Sequence, residues 1–283
     1  MKKLLLFTMF YITHETTFAQ SGWTRKANSF YAKFGYAYSA GDKYFDADGK
    51  LIAGANNFTQ HSLNFYGEYG ATNNITAILN FPVYKIQNFD GYSSARGVGN
   101  SQIELKFAVI KKFPVISFSV GAELPLSDQR NFSVSQNINS LGFFDRINLP
   151  TGYPDFHYWE TLAVSSSLGN LPGWISFHGR FVERTQGYSN QFNYGLEVGY
   201  KFTKNFWMNA RITTQNQIGK SFGSASFLNG QDTEFTTLGF SVAYKIARKM
   251  HLNFDYQFYN DLLRSRRNVY SAPFYQIGLS HEL

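Results

Sequence analysis

The chain has 283 residues and a formal net charge of +7; 43% of the residues are hydrophobic, 18% are aromatic and none is cysteine. The absence of cysteine excludes disulfides and thiolate metal sites. No apolar run reaches the length of about 18 residues that a membrane-spanning helix requires, and the mean hydropathy is only -0.28. If this protein crosses a membrane, it must do so with strands that hide their apolar face in alternation.

Residues 1–19 have the pattern of a cleavable export signal. Two lysines precede an apolar core from Leu4 to Ile12, and the small residues Thr17 and Ala19 precede the expected cleavage site. A core this short cannot span a membrane as a helix. We therefore expect residues 1–19 to be a signal peptide and residues 20–283 to form a single domain.

The rest of the chain contains twelve segments in which apolar and polar residues alternate with the period of a β-strand. In chain order they lie near residues 28–39, 58–70, 75–87, 102–109, 116–124, 156–169, 174–187, 191–202, 206–217, 238–246, 252–258 and 270–283. In the first segment, Phe30, Phe34 and Tyr36 share one face, and polar or small residues lie between them. Each segment therefore has one apolar face that something must cover.

The hairpin formed by the eighth and ninth segments indicates what covers that face. Phe192 and Phe202 lie at its two ends, with Leu196 and Val198 between them. The ten-residue step from Phe192 to Phe202, at about 3.3 Å per residue and a tilt of about 40°, spans roughly 25 Å, the height of the lipid-facing band of an outer-membrane barrel. Aromatic rings at both ends match the two headgroup levels of a bilayer. The alternative is a soluble β-sandwich, in which a second sheet covers the same face.

The connections between the segments distinguish these two architectures. Short turns at 71–74, 111–114, 170–173, 203–205 and 247–249 alternate with mostly longer loops at 41–56, 88–99, 125–155, 219–232 and 262–269. An even number of strands places both termini on the periplasmic side, and the last strand can pair with the first and leave no edge open to lipid. The sequence therefore predicts an all-β fold: a closed antiparallel transmembrane β-barrel of about 12 strands, with short periplasmic turns and long external loops, in the cell outer membrane.

Four stretches resemble a known group of Gram-negative barrels. They are YFDADGK, SLNFYGEYGATNNITAILNFPVYK, GVGNSQIELKF and GYSNQFNYGLEVGYKF. In these stretches the chain is similar to the phenol-degradation meta-pathway outer-membrane proteins and, more distantly, to fatty-acid and toluene channels. Gly97 and Gly99 match the glycine-rich turn of that family, with Asn100 where aspartate is usual. The resemblance implies a barrel in the outer membrane and passive uptake of small hydrophobic or aromatic molecules.

The C-terminal residues also resemble a known signal. Gln276, Gly278, His281 and Leu283 follow the spacing by which the barrel assembly machinery recognises outer-membrane barrels, with His281 and Leu283 where aromatic residues are usual. The partners that these resemblances imply are that machinery, outer-membrane lipid and lipopolysaccharide, and a small hydrophobic solute. Nucleic acid is not expected as a partner, because the basic residues are scattered among the strands and form no stripe.

Charged and ionisable residues collect on the predicted inward face of the strands. These candidate lumen-lining residues are Lys33, Glu68, Glu104, Lys106, Glu123, Glu160, His178, Arg180, Arg184, Glu197, Lys201, Arg211 and Asp255. Opposite charges in a narrow lumen should pair, because an isolated charge there is costly. A barrel of this size lies between a filled eight-stranded barrel and an open porin. The residues therefore form either a structural ion-pair network that narrows the pore or a selectivity lining.

The longest irregular segment, residues 125–155, carries apolar side chains that are unfavourable in water. Segments of this length without regular structure are usually functional or disordered. We expect this one to fold inward, with Phe132, Phe143, Phe144 and Tyr153 forming a plug or an apolar entrance for a ligand.

Other kinds of site have less support. The acidic segment 42–49 lacks the later ligands and the terminal glutamate of an EF-hand, so we expect an acidic turn there and no metal or cofactor. His178 and Ser176 share a strand face, but no nucleophile motif surrounds them, so we expect no enzyme. The arginines within 264–267 lie on an external loop and are either solvated or bound to lipopolysaccharide phosphates.

The function that follows is an outer-membrane channel for passive uptake of small hydrophobic or aromatic molecules. The alternative is a non-transporting structural or interaction barrel whose external loops bind a partner. A sealed lumen would favour the alternative.

Overall fold

The computed structural model describes residues 21–52, 56–219 and 230–283. Its twelve long strands are β1 (Phe30–Gly41), β2 (Phe58–Gly70), β3 (Ile75–Phe89), β4 (Ser101–Ile110), β5 (Val115–Leu124), β6 (His157–Ser167), β7 (Gly173–Arg184), β8 (Asn190–Lys201), β9 (Phe206–Ile218), β10 (Phe235–Ala247), β11 (Met250–Asn260) and β12 (Phe274–Glu282). The predicted signal peptide and most of the loop predicted at 219–232 lie outside the described residues.

Pairing between the first and last strands closes these twelve into one antiparallel barrel. β1 pairs with β12 from Tyr31 opposite Glu282 to Ser39 opposite Phe274. Each of the other strands pairs with its neighbours in sequence. No edge strand is then left for lipid to face, since the strand-to-strand ladder is continuous around the wall. The predicted closed barrel of twelve strands is confirmed.

The outward face of the barrel is an apolar belt. On β1, Phe34 and Tyr36 are 51% and 44% exposed, whereas Tyr31 and Lys33 on the opposite face are 0% and 2% exposed. The shorter strands of the described chain lie in the connections, at Tyr44–Phe45, Leu51–Ile52, Ala95–Gly97, Phe132–Ile138, Phe144–Asn148 and Val269–Tyr270. They form no second sheet over the belt, so the sandwich alternative is excluded and hydrocarbon covers the apolar face.

The described part of the chain contains no helix long and apolar enough to cross a membrane.

The two ends of the barrel differ in the length of their connections. Five short turns, at 71–74, 111–114, 168–172, 202–205 and 248–249, lie at the end where β1 begins and β12 ends. Six connections lie at the other end, at 42–57, 90–100, 125–156, 185–189, 219–234 and 261–273. The short-turn end of an outer-membrane barrel is periplasmic. The predicted alternation of turns and loops is therefore confirmed.

A bulge in β3 changes which of its residues face inward. Leu63 of β2 lies opposite Tyr84, but the next residue, Asn64, lies opposite Pro82, so Val83 is the extra residue. Pro82 has no amide hydrogen to give to the ladder, which makes this a favourable place for the irregularity. Beyond the bulge Lys85 faces the interior and is 1% exposed. Unbroken alternation would have turned Lys85 outward, so the sequence prediction missed this lumen cation.

One predicted lumen residue lies on the wrong face. On β6, Trp159 and Thr161 are buried inside the barrel, while Glu160 between them is exposed on the outside. The indole of Trp159 donates a hydrogen bond from Nε1 to Glu104 Oε2 at 2.9 Å, which holds the strand face that carries Trp159 and Thr161 toward the lumen. Because the side chains of a strand alternate strictly, Glu160 must then point outward. The prediction of Glu160 as lumen lining is wrong.

A charge placed at the middle of the apolar belt tests the lipid-facing assignment. Leu196 lies in the belt and is 39% exposed, whereas Leu171 lies in a short turn and is 59% exposed. We expect Leu196→Arg to lower the free energy of unfolding by about 2–4 kcal/mol, because arginine near the bilayer centre is poorly solvated. The matched control Leu171→Arg should cost about 0–1 kcal/mol at the interface. Denaturant titration in lipid vesicles measures both, and equal effects would contradict a hydrocarbon-covered belt.

Candidate functional site in the barrel lumen

The inward face of the barrel is polar along its length and closely filled. Eleven of the predicted lumen residues are buried there: Lys33, Glu68, Glu104, Lys106, Glu123, His178, Arg180, Arg184, Glu197, Arg211 and Asp255. Lys201 also points inward and is half-buried at the periplasmic end. The buried side chains of this face are at most 8% exposed. Within the described part of the chain, these side chains therefore narrow the lumen.

Ion pairs connect strands that are not direct neighbours in the wall. Lys33 Nζ on β1 lies 2.6 Å from Asp255 Oδ2 on β11. Arg180 Nη2 on β7 lies 3.0 Å from Glu104 Oε2 on β4, and its guanidinium carbon is 4.9 Å from the centre of the Trp159 ring. Since each charge is almost fully removed from water, each depends on its partner. This arrangement corresponds to the predicted structural ion-pair network.

The N-terminal strap, residues 21–29, runs along the periplasmic opening, and its first five residues are buried or half-buried there. Gly22 N donates to Ser165 Oγ of β6 at 2.6 Å, and the backbone amide of Arg25 donates to Thr76 Oγ1 of β3 at 2.8 Å. Arg25 Nε also lies 2.5 Å from Glu68 Oε2. Burial of Arg25 opposes its charge, but Glu68 outweighs burial and raises the pKa of Arg25 above its ordinary value. Hydrogen bonds and an ion pair thus hold the strap in the opening.

Aromatic side chains complete the closure at the periplasmic end. This aromatic cluster consists of Tyr31, Tyr66, Trp174 and Trp207, from strands β1, β2, β7 and β9. Trp23 of the strap packs against it. Trp174 Nε1 also donates to Glu197 Oε1 at 3.0 Å, so the polar edge of the indole is satisfied. Rings from four separate strands therefore meet the strap across the mouth.

The sequence prediction missed the aromatic cluster because it assigned aromatic residues to the lipid face. The sequence does contain a signal for it, because the odd or even position of each aromatic residue can be compared with that of the lumen charges on the same strand. Tyr31 has the same parity as Lys33, and Trp207 the same parity as Arg211. In a strand with strict alternation, an aromatic residue that shares its parity with a lumen charge must also face the lumen.

The loop cap, residues 149–155, closes the external end. Leu149, Thr151 and Asp155 are all 0% exposed. Lys85 Nζ donates to the carbonyl oxygen of Thr151 at 2.9 Å. Arg184 donates to both carboxylate oxygens of Asp155, at 3.0 Å from Nε and 2.7 Å from Nη2. Charged side chains of the lumen therefore hold the cap in place, and the contacts are mainly polar.

The side chain of Tyr153 is enclosed by the same groups. Its ring stacks on His157 at 5.3 Å between centroids, and the guanidinium carbon of Arg184 lies 5.1 Å from its centre. Burial alone would raise the pKa of Asp155, but contacts from His157 and Arg184 outweigh burial and hold that pKa below its ordinary value. The carboxylate of the cap is therefore charged at neutral pH.

The predicted apolar plug is wrong for three of its four residues. Phe132, Phe143 and Phe144 are 55%, 68% and 52% exposed. They belong to an external hairpin of the strands Phe132–Ile138 and Phe144–Asn148, which pair with each other. Of the predicted set, only Tyr153 lies inside the barrel. The cap that does fold inward is drawn there by hydrogen bonds to lumen charges, a signal that apolar composition does not carry.

A small polar cavity lies between the cap and the wall. Its lining is rich in carboxamides and consists of Gln60, Ser62, Asn64, Asn80, Pro82, Lys85, Asn100, Gln102, Glu123, Gly152 and Phe274. Glu123 accepts hydrogen bonds from Asn100 Nδ2 at 2.9 Å and from Gln102 Nε2 at 2.6 Å. The volume of about 20 Å³ corresponds to roughly one water molecule. With the cap in place, no larger solute fits there.

An apolar space lies on the outer wall of the described structure. A trough of about 690 Å³ faces the bilayer on strands β1 to β5, lined by Phe30, Phe65, Tyr69, Leu79, Leu105 and neighbouring small residues. A lipid acyl chain would fill such a trough as readily as a hydrophobic solute. The apolar and polar spaces are therefore on opposite sides of the wall.

The remaining candidates have local structural roles. Asp46 Oδ1 accepts the backbone N–H of Asp48 at 3.0 Å and of Lys50 at 2.9 Å, as expected of an acidic turn. Within 21–52, 56–219 and 230–283, no group of three or more histidine, aspartate or glutamate side chains could hold a metal ion. All three of these external arginines are paired: Arg264 and Arg267 with Glu234, at 2.5 Å and 3.6 Å, and Arg266 with Asp261 at 2.7 Å.

Comparisons with known proteins identify the fold. No protein-family model and no curated protein matches the sequence. Among solved structures, an outer-membrane channel from Pseudomonas putida F1 is similar, with 13% identity, a TM-score of 0.64, and coverage of 93% of this chain and 98% of that one. The NanC porin is also similar, with 13% identity, a TM-score of 0.53, and coverage of 89% and 100%.

A third similar structure belongs to a protein of another class. It is the translocator domain of the autotransporter NalP from Neisseria meningitidis, with 7% identity, a TM-score of 0.54, and coverage of 93% and 91%. At these identities the likeness concerns the fold, which all three share. This chain is thus an outer-membrane β-barrel, as predicted, while its kinship with the meta-pathway proteins stays a prediction.

Breaking one lumen ion pair tests the network. Asp255→Asn leaves the buried ammonium of Lys33 without its counter-charge, and we expect a loss of about 3–5 kcal/mol in the free energy of unfolding. The double variant Lys33→Met/Asp255→Leu should recover most of that loss, because it removes both charges. The partly exposed pair Arg266–Asp261 on an external loop provides the control, and Asp261→Asn should cost no more than about 1 kcal/mol. A double variant as unstable as Asp255→Asn would mean that the pair is not the source of the effect.

Neutralising Asp155 tests how the cap is held. A lowered pKa means that this carboxylate stabilises the cap above the ordinary carboxyl pKa of about 4, and that the contribution is lost as the pH falls through the lowered value. At neutral pH we expect Asp155→Asn to increase hydrogen–deuterium exchange of residues 149–155 relative to the wild type. The difference should vanish at strongly acidic pH, where the wild-type carboxyl is protonated too.

The matched control for this experiment is Asp145→Asn on the external hairpin, where the carboxylate is exposed. This variant should leave the exchange of the cap unchanged. Equal protection of the cap in all three proteins at neutral pH would contradict the assignment.

Proposed function

We propose that this barrel is an outer-membrane channel for passive diffusion of small solutes, and that the strap and the cap close it in series. The observation that supports the proposal is that the strap and the cap, which are not part of the wall, obstruct the lumen. At both ends of the lumen a chain segment outside the wall strands, the strap or the cap, is part of the obstruction, and each is held by side-chain contacts. A segment held in this way can leave its position while the barrel stays intact, because the wall keeps its own ladder of hydrogen bonds.

The solute class follows from the inner wall. Lys33, Glu104 and Arg180 are examples of a lining in which most buried side chains are charged or carry carboxamides and hydroxyls. An apolar solute that crosses this lining would leave polar groups without partners, whereas a hydrophilic solute can replace those partners. The lumen therefore supports small polar solutes more than the hydrophobic or aromatic ones that the resemblance implies. A hydrophobic solute is accommodated better by the trough on the outer wall.

A second candidate function is favoured by the external hairpin. Ile138, Leu141 and Phe143 are 60%, 78% and 68% exposed there. Apolar side chains grouped in this way on an external loop are typical of an interaction site. A non-transporting barrel that binds a partner through this hairpin accounts for a sealed lumen as well.

Opening the two closures separately and together distinguishes the candidates. Trp23→Ala/Arg25→Gln removes the aromatic and ionic contacts of the strap, and Asp155→Asn removes the main ionic contact of the cap. Because two closures in series each block the path, we expect each variant alone to conduct little more than the wild type. The triple variant should conduct ions in planar bilayers and should admit small polar solutes in liposome swelling. Thr24→Ala is the matched strap control, since the Thr24 hydroxyl donates to the carbonyl oxygen of Asn73 in an exposed turn and holds no lumen charge.

Heat-modifiable mobility on a denaturing gel shows whether each variant still forms the barrel. A triple variant that has native mobility and conducts nothing would overturn the channel and favour the interaction barrel. A triple variant that admits hydrophobic solutes in preference to polar ones would overturn the solute class.

A further inference from the structure

The charges of the connections are distributed unequally between the two ends of the barrel. The five short turns contain five basic residues and no acidic residue. We refer to these residues, Lys111, Lys112, Lys204, Arg248 and Lys249, as the periplasmic basic rim. The six connections at the external end contain nine basic and ten acidic residues. A charge of +5 in the turns at one end therefore contrasts with nearly neutral loops at the other.

The basic rim is available for binding. All five of its side chains are exposed. Across residues 21–52, 56–219 and 230–283, no ion pair involves any of them. Three further lysines lie near the same end: Lys26 on the strap, Lys201 at the end of β8 and Lys245 near the end of β10. By contrast, Arg264 and Arg266 at the external end are neutralised by carboxylates.

Apolar side chains beside these cations fix their depth in the membrane. Phe113 follows Lys112 and is 80% exposed, and Phe202 precedes Lys204 by two residues and is 54% exposed. Met250, directly after Lys249, is 37% exposed. Exposed aromatic and apolar residues at the end of a barrel strand lie at the membrane interface. Cations next to them extend to the level of the headgroups, since a lysine stem can lie along apolar surface while its ammonium reaches water.

We propose that the periplasmic basic rim binds the phosphates of anionic phospholipids in the leaflet that faces the periplasm. The cations lie on three separate turns, each beside an apolar residue, and this spacing suits separate small headgroups. A single acidic protein would need one contiguous basic patch. Ammonium and guanidinium groups bind phosphate through charge-assisted hydrogen bonds, and basic groups at a membrane surface favour anionic lipid. This inference is independent of whether the lumen conducts.

The experiment compares the lipid that surrounds two variants of equal charge. The rim variant replaces Lys111, Lys112, Lys204, Arg248 and Lys249 with glutamine. The control variant replaces five exposed cations of the external end, Lys43, Lys50, Arg96, Arg130 and Arg146, with glutamine. Each purified full chain is reconstituted into vesicles of phosphatidylcholine with added phosphatidylglycerol, extracted in mild detergent, and its retained lipid is measured by native mass spectrometry.

The wild type and the control variant should retain phosphatidylglycerol in preference to phosphatidylcholine. In the rim variant the ratio of retained phosphatidylglycerol to phosphatidylcholine should be about tenfold lower. The preference should also fall with rising salt, because the cations are exposed. Heat-modifiable mobility confirms that all three proteins are folded. A folded rim variant with an unchanged preference would overturn the inference, and so would a control variant that loses as much. Wild-type binding to purified peptidoglycan without any lipid preference would assign the rim to a different partner.

Discussion

Backbone hydrogen bonding in a medium without water is the constraint on which this structure depends. A peptide amide or carbonyl group in hydrocarbon has no partner except another part of the chain, so every strand of the wall needs a neighbour on both sides. Pairing of β1 with β12 meets that requirement by removing the two edges. Once the wall is closed, its outward face can be apolar and its inward face polar, and the alternating sequence follows from that division.

The polar filling of the lumen is not a requirement of the fold. Buried ion pairs such as Lys33–Asp255 and Arg180–Glu104 contribute little net stability compared with apolar side chains of similar volume, because both charges must be desolvated. An apolar filling would therefore stabilise the barrel at least as well. A lining that keeps its charges and carboxamides is consistent with the proposed path for polar solutes.

The two closures use different physical interactions. At the periplasmic end, Trp23 of the strap packs among aromatic rings, and Arg25 pairs with Glu68. At the external end, the cap is held mainly by Arg184 on Asp155 and by Lys85 on a backbone carbonyl. Aromatic packing depends little on pH or salt, whereas the contact of Asp155 depends on its ionisation. The external closure can therefore respond to pH through Asp155.

The sequence determined the wall of this barrel. Alternation identified the strands, and the lengths of the connections identified the two ends. The charged residues on the polar face of each strand identified eleven buried lumen residues and Lys201. These features are local, because side-chain direction in a strand repeats every two residues. The sequence assigns side chains to the wrong face in two situations. One is a local irregularity that breaks the two-residue repeat, as at the bulge that turns Lys85 inward. The other is a strand with bulky or polar residues on both faces, as at Trp159 and Glu160.

Only the tertiary structure decided what fills the barrel. The strap reaches Ser165 from Gly22, and the cap reaches Arg184 from Asp155, across distances in sequence that no periodic pattern encodes. The phenylalanines of the long loop were predicted to lie inside because they are apolar, yet the segment that enters is chosen by hydrogen bonds to lumen charges. Which segment meets those charges depends on the closed wall that brings them together, and that wall exists only when all twelve strands have paired.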